Sequence, residues 1–121
     1  MTVAGADDWA RPVVHFEIEA QDPDRLAPFY EQLFHWKTHD GVVRFFEAGL
    51  GGPEPGPAGH FRRSERSGVT LYVQVRHLTE SVALVAELGG TVVIEPFDVP
   101  NGPTIAFVTD PEGNPLALVQ Q

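Results

Sequence analysis

Two side chains near the N-terminus have types and a spacing that suit chemistry on a small molecule. His15 and Glu17 lie two residues apart in a segment where apolar and polar residues alternate, so both point to the same side of a strand. An imidazole beside a carboxylate can act as a base with its orienting partner, or it can form a structural salt bridge. In a third interpretation, His15 is idle and hydrogen-bonds only Glu17 or a water molecule.

A second set of candidate residues lies in the middle of the chain. His60 and Arg62 stand two residues apart in another strand-like segment, and Tyr72 is expected opposite His15 in the sheet. A guanidinium that points into a cleft offers a fixed positive charge and a fork of donors, which suit a carboxylate or phosphate on a small molecule. Alternatively, Arg62 belongs to a solvated basic cluster at the surface. Tyr72 would add a flat apolar face with a hydroxyl tip, and Glu47 is a weaker candidate.

The elements that must position these residues are indicated by periodicity and turn signals. The alternation over Val13–Ala20 predicts a half-buried strand, and Asp22 followed by proline predicts the start of a helix over about residues 23–34. An Asp-Gly dipeptide at residues 40–41, between two short apolar runs, predicts a hairpin. Residues 49–59 contain five glycines and three prolines and are predicted to form a flexible linker.

The same order of elements recurs at an offset of 55 residues, which places residue 70 over residue 15. The second set of predicted elements is a strand at residues 70–75, a helix at about 79–88, and strands at 91–95, 104–109 and 115–119. We therefore predict an α+β fold in which two tandem βαβββ units form a curved mixed sheet around a concave cleft. The units would span about residues 13–63 and 69–120 of a single domain, 1–121, with polar side chains lining the cleft.

Composition limits the partners of the chain. The formal net charge is −9, with 17 acidic and 8 basic residues, so nucleic acid would be repelled unless the few cations were clustered. No apolar run approaches the roughly 20 residues of a membrane span, and the first residues lack the pattern of a secretion signal. The chain has no cysteine, which excludes disulfides and thiolate chemistry and suits a reducing cytoplasm. A small molecule is the expected ligand.

Several motifs resemble those of the vicinal-oxygen-chelate superfamily, which includes glyoxalases, bleomycin-resistance proteins and extradiol dioxygenases. They are HFEI at residues 15–18, DPDR at 22–25, FYEQLF at 29–34 and FVTDPEGNPL at 107–116. The resemblance extends over most of the chain and identifies the fold better than the substrate, because this scaffold hosts many reactions. It also implies a homodimer.

The resemblance further implies where a metal would be bound. The family's metal enzymes carry a His, Glu or Gln ligand on the first and on the last strand of each half. His15 stands at the first of these positions, but Thr70 and Ala117 stand at two others. The fourth position is Arg62 according to the 55-residue repeat, or His60 if the register slips by two residues. We therefore expect no catalytic metal and no cofactor, because a catalytic metal site typically has three protein ligands.

Three functions are compatible with these observations. The first is a protein that binds or sequesters a small molecule, for example a cationic antibiotic held by an acidic concave surface. The second is a lyase, isomerase or dioxygenase-type enzyme acting on a small organic substrate. It would use His15 and Glu17 for proton transfer, with or without a weakly held divalent metal. The third is a subunit that binds a protein partner and no small ligand.

Overall fold

A computed structural model of the chain describes residues 10–41, 43–46 and 56–121. Glu47 and residues 49–55 of the predicted linker lie outside these ranges. The elements within them are β1 (Val13–Ala20), α1 (Pro23–Phe34), β2 (Thr38–His39), β3 (Arg44–Phe46), β4 (Ala58–Arg63), β5 (Gly68–Val75), α2 (Leu78–Glu87), β6 (Thr91–Asp98), β7 (Thr104–Thr109) and β8 (Pro115–Gln120). The last two residues of the predicted linker therefore belong to β4. Neither described helix is long and apolar enough to cross a membrane.

Helix α1 begins and ends where local chemistry predicts. The side chain of Asp22 accepts a hydrogen bond from the Arg25 backbone N–H, and Pro23 occupies the first turn, where its missing N–H costs nothing. The helix stops at His35, which adopts a left-handed conformation with φ of 62°. These signals lie within a few residues of each other in sequence, so both ends of α1 could be predicted.

All eight strands form one curved mixed sheet in the order β2-β3-β4-β1-β5-β8-β7-β6. Strands β1 and β5 pair antiparallel at the centre, with His15 opposite Tyr72 as predicted. Strand β4 runs parallel to β1, and β8 runs parallel to β5, so the two halves have the same plan. The α+β class and the pair of βαβββ units are therefore confirmed.

The two pairs of parallel strands, β1 with β4 and β5 with β8, show which residues of the two halves correspond. Glu17 is the neighbour of His60 across β1 and β4, and Tyr72 is the neighbour of Ala117 across β5 and β8. Glu17 and Tyr72 are 55 residues apart, whereas His60 and Ala117 are 57 residues apart. The last strand is shifted by two residues between the halves, so His60 rather than Arg62 corresponds to Ala117.

The inner faces of the two halves differ in chemistry. The outer face of each half packs under its own helix, and these two cores comprise Ile18, Ala27, Phe46 and Phe61 in the first half and Val75, Leu78, Val82, Ala106, Val108 and Leu118 in the second. The inner face of the second half is also apolar, with a cluster of Tyr72, Ile105, Ala117 and Val119. The inner face of the first half instead carries polar residues at alternate positions of β1 and β4. Polar and apolar surfaces thus face each other across the concave side.

Candidate functional site

The five residues predicted to bind a ligand lie together on the inner face of the sheet. His15 Nε2 and His60 Nδ1 are 2.7 Å apart, and His60 Nε2 is 2.9 Å from Glu17 Oε1. Arg62 donates from Nε to the same carboxylate oxygen at 3.0 Å. The Tyr72 ring packs edge-on against His15, with ring centroids 5.1 Å apart. His60 and Arg62 both face inward, because residues two apart in a strand point to the same side.

Glu17 is the centre of this network. Its side chain is buried, and burial alone would raise the pKa of its carboxyl group. Hydrogen bonds from His60 and Arg62, with the positive charge of Arg62, nevertheless lower the pKa of Glu17 below its ordinary value. Glu17 is therefore a carboxylate at neutral pH. It does not hold His15 directly, because His60 lies between the two side chains.

A second buried carboxylate, Glu19, belongs to the same network. Arg62 and Arg66 both donate from Nη2 to Glu19 Oε1, the Arg66 bond at 3.2 Å. The sequence interpretation did not include Glu19 and Arg66 among the site residues. Glu19 could have been added, because it shares the two-residue period of Glu17 along β1. Arg66 follows the end of β4, where strand periodicity no longer indicates direction.

Glu17, Glu19, Arg62 and Arg66 form one wall of a cleft of about 680 Å³, whereas His15, His60 and Tyr72 belong to the network but do not line this cleft. The charged residues that line it are two acids and two bases: Glu17, Glu19, Arg62 and Arg66. The opposite wall comes from the second half and is mostly apolar, with Val93, Ile94, Phe107 and Leu116. The volume suits a small organic molecule. The four charges balance, so the excess negative charge of the chain is not concentrated in this cleft.

His15 and Tyr72 are uncharged at neutral pH. Burial lowers the pKa of His15 to about 4, with a further contribution from His60 that outweighs the opposite effect of Glu17. Burial and the negative charge of Glu17 raise the pKa of the Tyr72 phenol well above its ordinary value. His15 and Tyr72 therefore offer neutral hydrogen-bonding groups beside the balanced ion pairs.

The described residues do not match the donor set of the family's metal enzymes. Of the four positions at which the resemblance implies ligands, Ala117 has no donor atom and packs in the apolar cluster of the second half. Thr70 is buried and offers only a hydroxyl group. The remaining two, His15 and His60, hydrogen-bond each other. Within the described ranges, no group of three or more His, Cys, Asp or Glu side chains is placed to hold a metal ion.

The low pKa of His15 predicts a pH dependence of stability. Its folded pKa of about 4 lies below the ordinary value of 6.5, so on acidification the unfolded chain binds a proton that the folded chain does not. The part of the folding free energy that depends on a neutral His15 is fully present above about pH 6.5 and is lost as the pH falls towards 4. From neutral pH to about pH 5, we expect urea denaturation to show that the wild type loses about 1–2 kcal/mol more than His15→Gln.

The matched control for this titration is His77→Gln, which changes an exposed histidine at the start of α2. This variant should keep the wild-type dependence on pH. Glu17 is present in all three proteins, so its own proton binding does not distinguish them. Equal loss of stability in the wild type and His15→Gln would show that His15 is not held neutral by the fold.

Comparison with solved structures defines the class of this fold. A hypothetical protein from Bacillus halodurans C-125 is 17% identical, with a TM-score of 0.65, over 93% of this chain and 95% of that one. A methylmalonyl-CoA epimerase in complex with methylmalonyl-CoA is 17% identical, with a TM-score of 0.63, over 92% and 94% of the two chains. These solved structures share the α+β fold of this chain.

Sequence comparison assigns the family within this class. Residues 15–119 match the glyoxalase-like domain family, and the chain belongs to it. A glyoxylase-like domain-containing protein of Didymella fabae is 29% identical over 112 residues, which cover 84% of this chain and 88% of that protein. The resemblance stated from the sequence motifs is therefore confirmed.

Proposed function

We propose that this chain is a small-molecule-binding protein whose ligand occupies the concave cleft, without the complete metal site of the family's metal enzymes. The observation that carries the proposal is the cleft of about 680 Å³ between a polar and an apolar wall. The ligand-contacting residues would be Glu17 and Arg62, which line the cleft, together with His15, His60 and Tyr72, which belong to the same connected network on the inner face of the sheet. Polar groups that converge beside an apolar surface are typical of ligand sites.

The charge of the cleft favours neutral or anionic ligands over cations. Both buried carboxylates, Glu17 and Glu19, are already paired with arginine. The arginines are the more exposed partners: the Arg62 side chain is 44% exposed and the Arg66 side chain 73% exposed. An incoming ligand therefore meets guanidinium groups before carboxylates. One solved relative is an epimerase in complex with a CoA ester, and anionic groups of that kind suit an arginine-lined rim.

A second candidate function is proton-transfer catalysis on a small organic substrate, as in a lyase or isomerase. The hydrogen-bonded series Glu17, His60 and His15 favours it, because a carboxylate that orients an imidazole is the arrangement of a general base. In such an enzyme His15 would be the base, His60 would orient it, and Glu17 would act through His60. A dioxygenase-type reaction has less support, since it needs a metal to activate oxygen and the described donors do not match such a site.

The proposal predicts the outcome of a thermal-shift screen on the purified chain. The compounds are neutral phenols, organic acids, CoA esters and cationic antibiotics, with Zn²⁺ and Mn²⁺ tested alone. We expect at least one neutral or anionic compound to raise the melting temperature, because a ligand at 100 times its Kd stabilises the folded state by about 2.7 kcal/mol. We expect no such shift from either metal.

The matched variant for the screen is Arg66→Gln, which removes one rim charge from an exposed side chain. It should weaken the shift caused by an anionic compound and leave the shift of a neutral one. Stoichiometric binding of Zn²⁺ or Mn²⁺ that is lost in His15→Ala would contradict the absence of a complete metal site. A screen in which nothing shifts the melting temperature would contradict the small-molecule proposal and favour a subunit that binds another protein.

We also propose that the chain acts in the cytoplasm as a homodimer. The absence of cysteine supports the first part. The second is supported by the homodimer that the family resemblance implies and by apolar side chains exposed on α1, among them Phe29 and Leu33.

A further inference from the structure

We infer that the cleft binds an amphipathic monocarboxylate, with its carboxylate on the Arg66 guanidinium at the mouth and its apolar body along Ile94 and Phe107. This inference rests on the proposed function, because it names the ligand class of the same cleft. Arg66 is then the residue that selects an organic acid over a neutral compound of the same shape.

The cleft has an open end and a closed end. Glu19 and Gly68 form the last cross-strand pair of β1 and β5, and both residues line the cleft beside Arg66. Four residues further along β5, Tyr72 is buried and does not line the cleft. Its ring packs edge-on against Phe107, with centroids 6.2 Å apart. At about 3.3 Å per residue, the open and closed ends are roughly 13 Å apart, which limits the length of the ligand.

The two arginines of the cleft differ in how much of their hydrogen-bonding capacity is used. Arg62 directs Nε to Glu17 and Nη2 to Glu19, so one guanidinium holds both buried carboxylates. Among the described residues, the Arg66 guanidinium is bonded only to Glu19, through Nη2 at 3.2 Å. Its side chain is 73% exposed. Because a guanidinium has five N–H donors, Arg66 keeps most of its donors for a ligand, while the bond to Glu19 restricts its position.

Charge balance limits the ligand to one negative charge. The two buried carboxylates and the two guanidinium groups of the cleft balance one another. A carboxylate on Arg66 adds one negative charge and matches the planar fork of the guanidinium. A phosphate ester would bring up to two charges close to Glu19, and the described part of the cleft lining contains no third cation. An uncompensated charge in a partly buried site costs desolvation, so the cleft favours a carboxylate over a phosphate.

The wall opposite Arg66 determines the rest of the ligand. Ile94 and Phe107 are cross-strand partners on β6 and β7, and both line the cleft. Ile94 is 47% exposed, so the fold leaves apolar surface uncovered on this wall. A ligand body that covers this surface removes it from water, which favours binding. The body should therefore be an apolar chain or ring that extends from the carboxylate towards Phe107.

The ligand class is tested with ¹⁹F-labelled probes that share one body: 3-(4-fluorophenyl)propionate, its amide, and 2-(4-fluorophenyl)ethyl phosphate. Dissociation constants are measured by ¹⁹F NMR at neutral pH. We expect the propionate to bind about 3- to 10-fold more tightly than the amide, the range of a charged hydrogen bond at a partly exposed site. It should also bind at least as tightly as the phosphate. Added NaCl should reduce the preference over the amide, because salt screens the charge at the mouth.

Matched variants separate the two parts of the site. Arg66→Gln should bring the propionate and the amide to equal affinity. The control Arg63→Gln changes another exposed arginine, outside this cleft, and should keep the preference. Ile94→Ala should weaken the propionate and the amide by a similar factor and also keep the preference. Acetate, which has the charge without the body, should not displace the propionate at equal concentration.

The outcomes separate the inference from the proposed function. An amide that binds as tightly as the propionate, or a preference that survives Arg66→Gln, would overturn the inference. Tighter binding of the phosphate, or binding of none of these probes, would also overturn it. The proposed function stands in each of these cases if another compound of the screen raises the melting temperature, and it fails only if no compound does.

Discussion

Replacing Phe61 with alanine should lower the free energy of unfolding by about 3–5 kcal/mol, the usual cost of emptying a fully buried aromatic site. The Phe61 side chain is 0% exposed. Its ring packs against Tyr30 and Phe46, with centroids 5.3 Å away in both cases. These neighbours belong to α1 and β3, so the cavity would loosen the contact between the helix and the sheet.

The same substitution should disturb the candidate site, although Phe61 points away from it. In β4, Phe61 lies between His60 and Arg62, and its packing holds the strand that carries both inward-facing side chains. Urea denaturation measures the stability, and the ¹H–¹⁵N signals of the His60 ring report on the site. Phe29→Ala removes the same atoms from a residue that is 59% exposed, and should cost less than about 1 kcal/mol. Equal losses in the two variants would show that Phe61 is not a core residue.

Arg62→Ala should cost about 2–3 kcal/mol, because it leaves two buried carboxylates with fewer partners. Arg62 donates to both Glu17 and Glu19. The expected loss is smaller than for a fully buried pair, since the Arg62 side chain is 44% exposed and water can replace part of the interaction. The loss should shrink in acid, where Glu17 becomes protonated and its negative charge is removed.

A double-mutant cycle separates this charge effect from lost packing. In the background Glu17→Gln with Glu19→Gln, Arg62→Ala should cost clearly less than in the wild type, because no buried negative charge then lacks a partner. The neighbouring Arg63→Ala serves as the control: its side chain is 66% exposed and lies 3.8 Å from Asp22. We expect that control to cost no more than about 1 kcal/mol. An Arg62→Ala loss as small as that of Arg63→Ala would show that Arg62 does not stabilise the buried carboxylates.

The elements that could be predicted are those whose signals are local. Strand β1 alternates over its whole length, and α1 has its N-cap Asp22 and Pro23 directly before its apolar face. Both were predicted with the observed bounds. Strand β6 runs three residues further than predicted, to Asp98. Its pairing with β7 is irregular in register, and alternation is a poor guide where a bulge interrupts it.

The sequence predicted which residues belong to the candidate site, but not how these residues hydrogen-bond to one another. Period-2 alternation placed His15 and Glu17 on one face, and the repeat placed Tyr72 opposite His15, as the structure shows. The expectation that His15 and Glu17 would form a direct pair was incomplete, because His60 lies between them. The expectation of an acidic concave surface was also incomplete, since Arg62 and Arg66 reach the buried carboxylates.

The sequence by itself determined the α+β class, the duplicated unit and the face on which each candidate side chain lies, because hydrophobic periodicity and capping depend on neighbours along the chain. Only the tertiary structure decided the two-residue shift of β4, which gives His60 and not Arg62 the position of Ala117. The pairing of β4 with β1 spans more than forty residues along the chain. Its register depends on which packing buries Phe61 and Phe46 together, and that is a property of the assembled core. The hydrogen-bonded series from Glu17 through His60 to His15 exists only because this register brings the three side chains within reach.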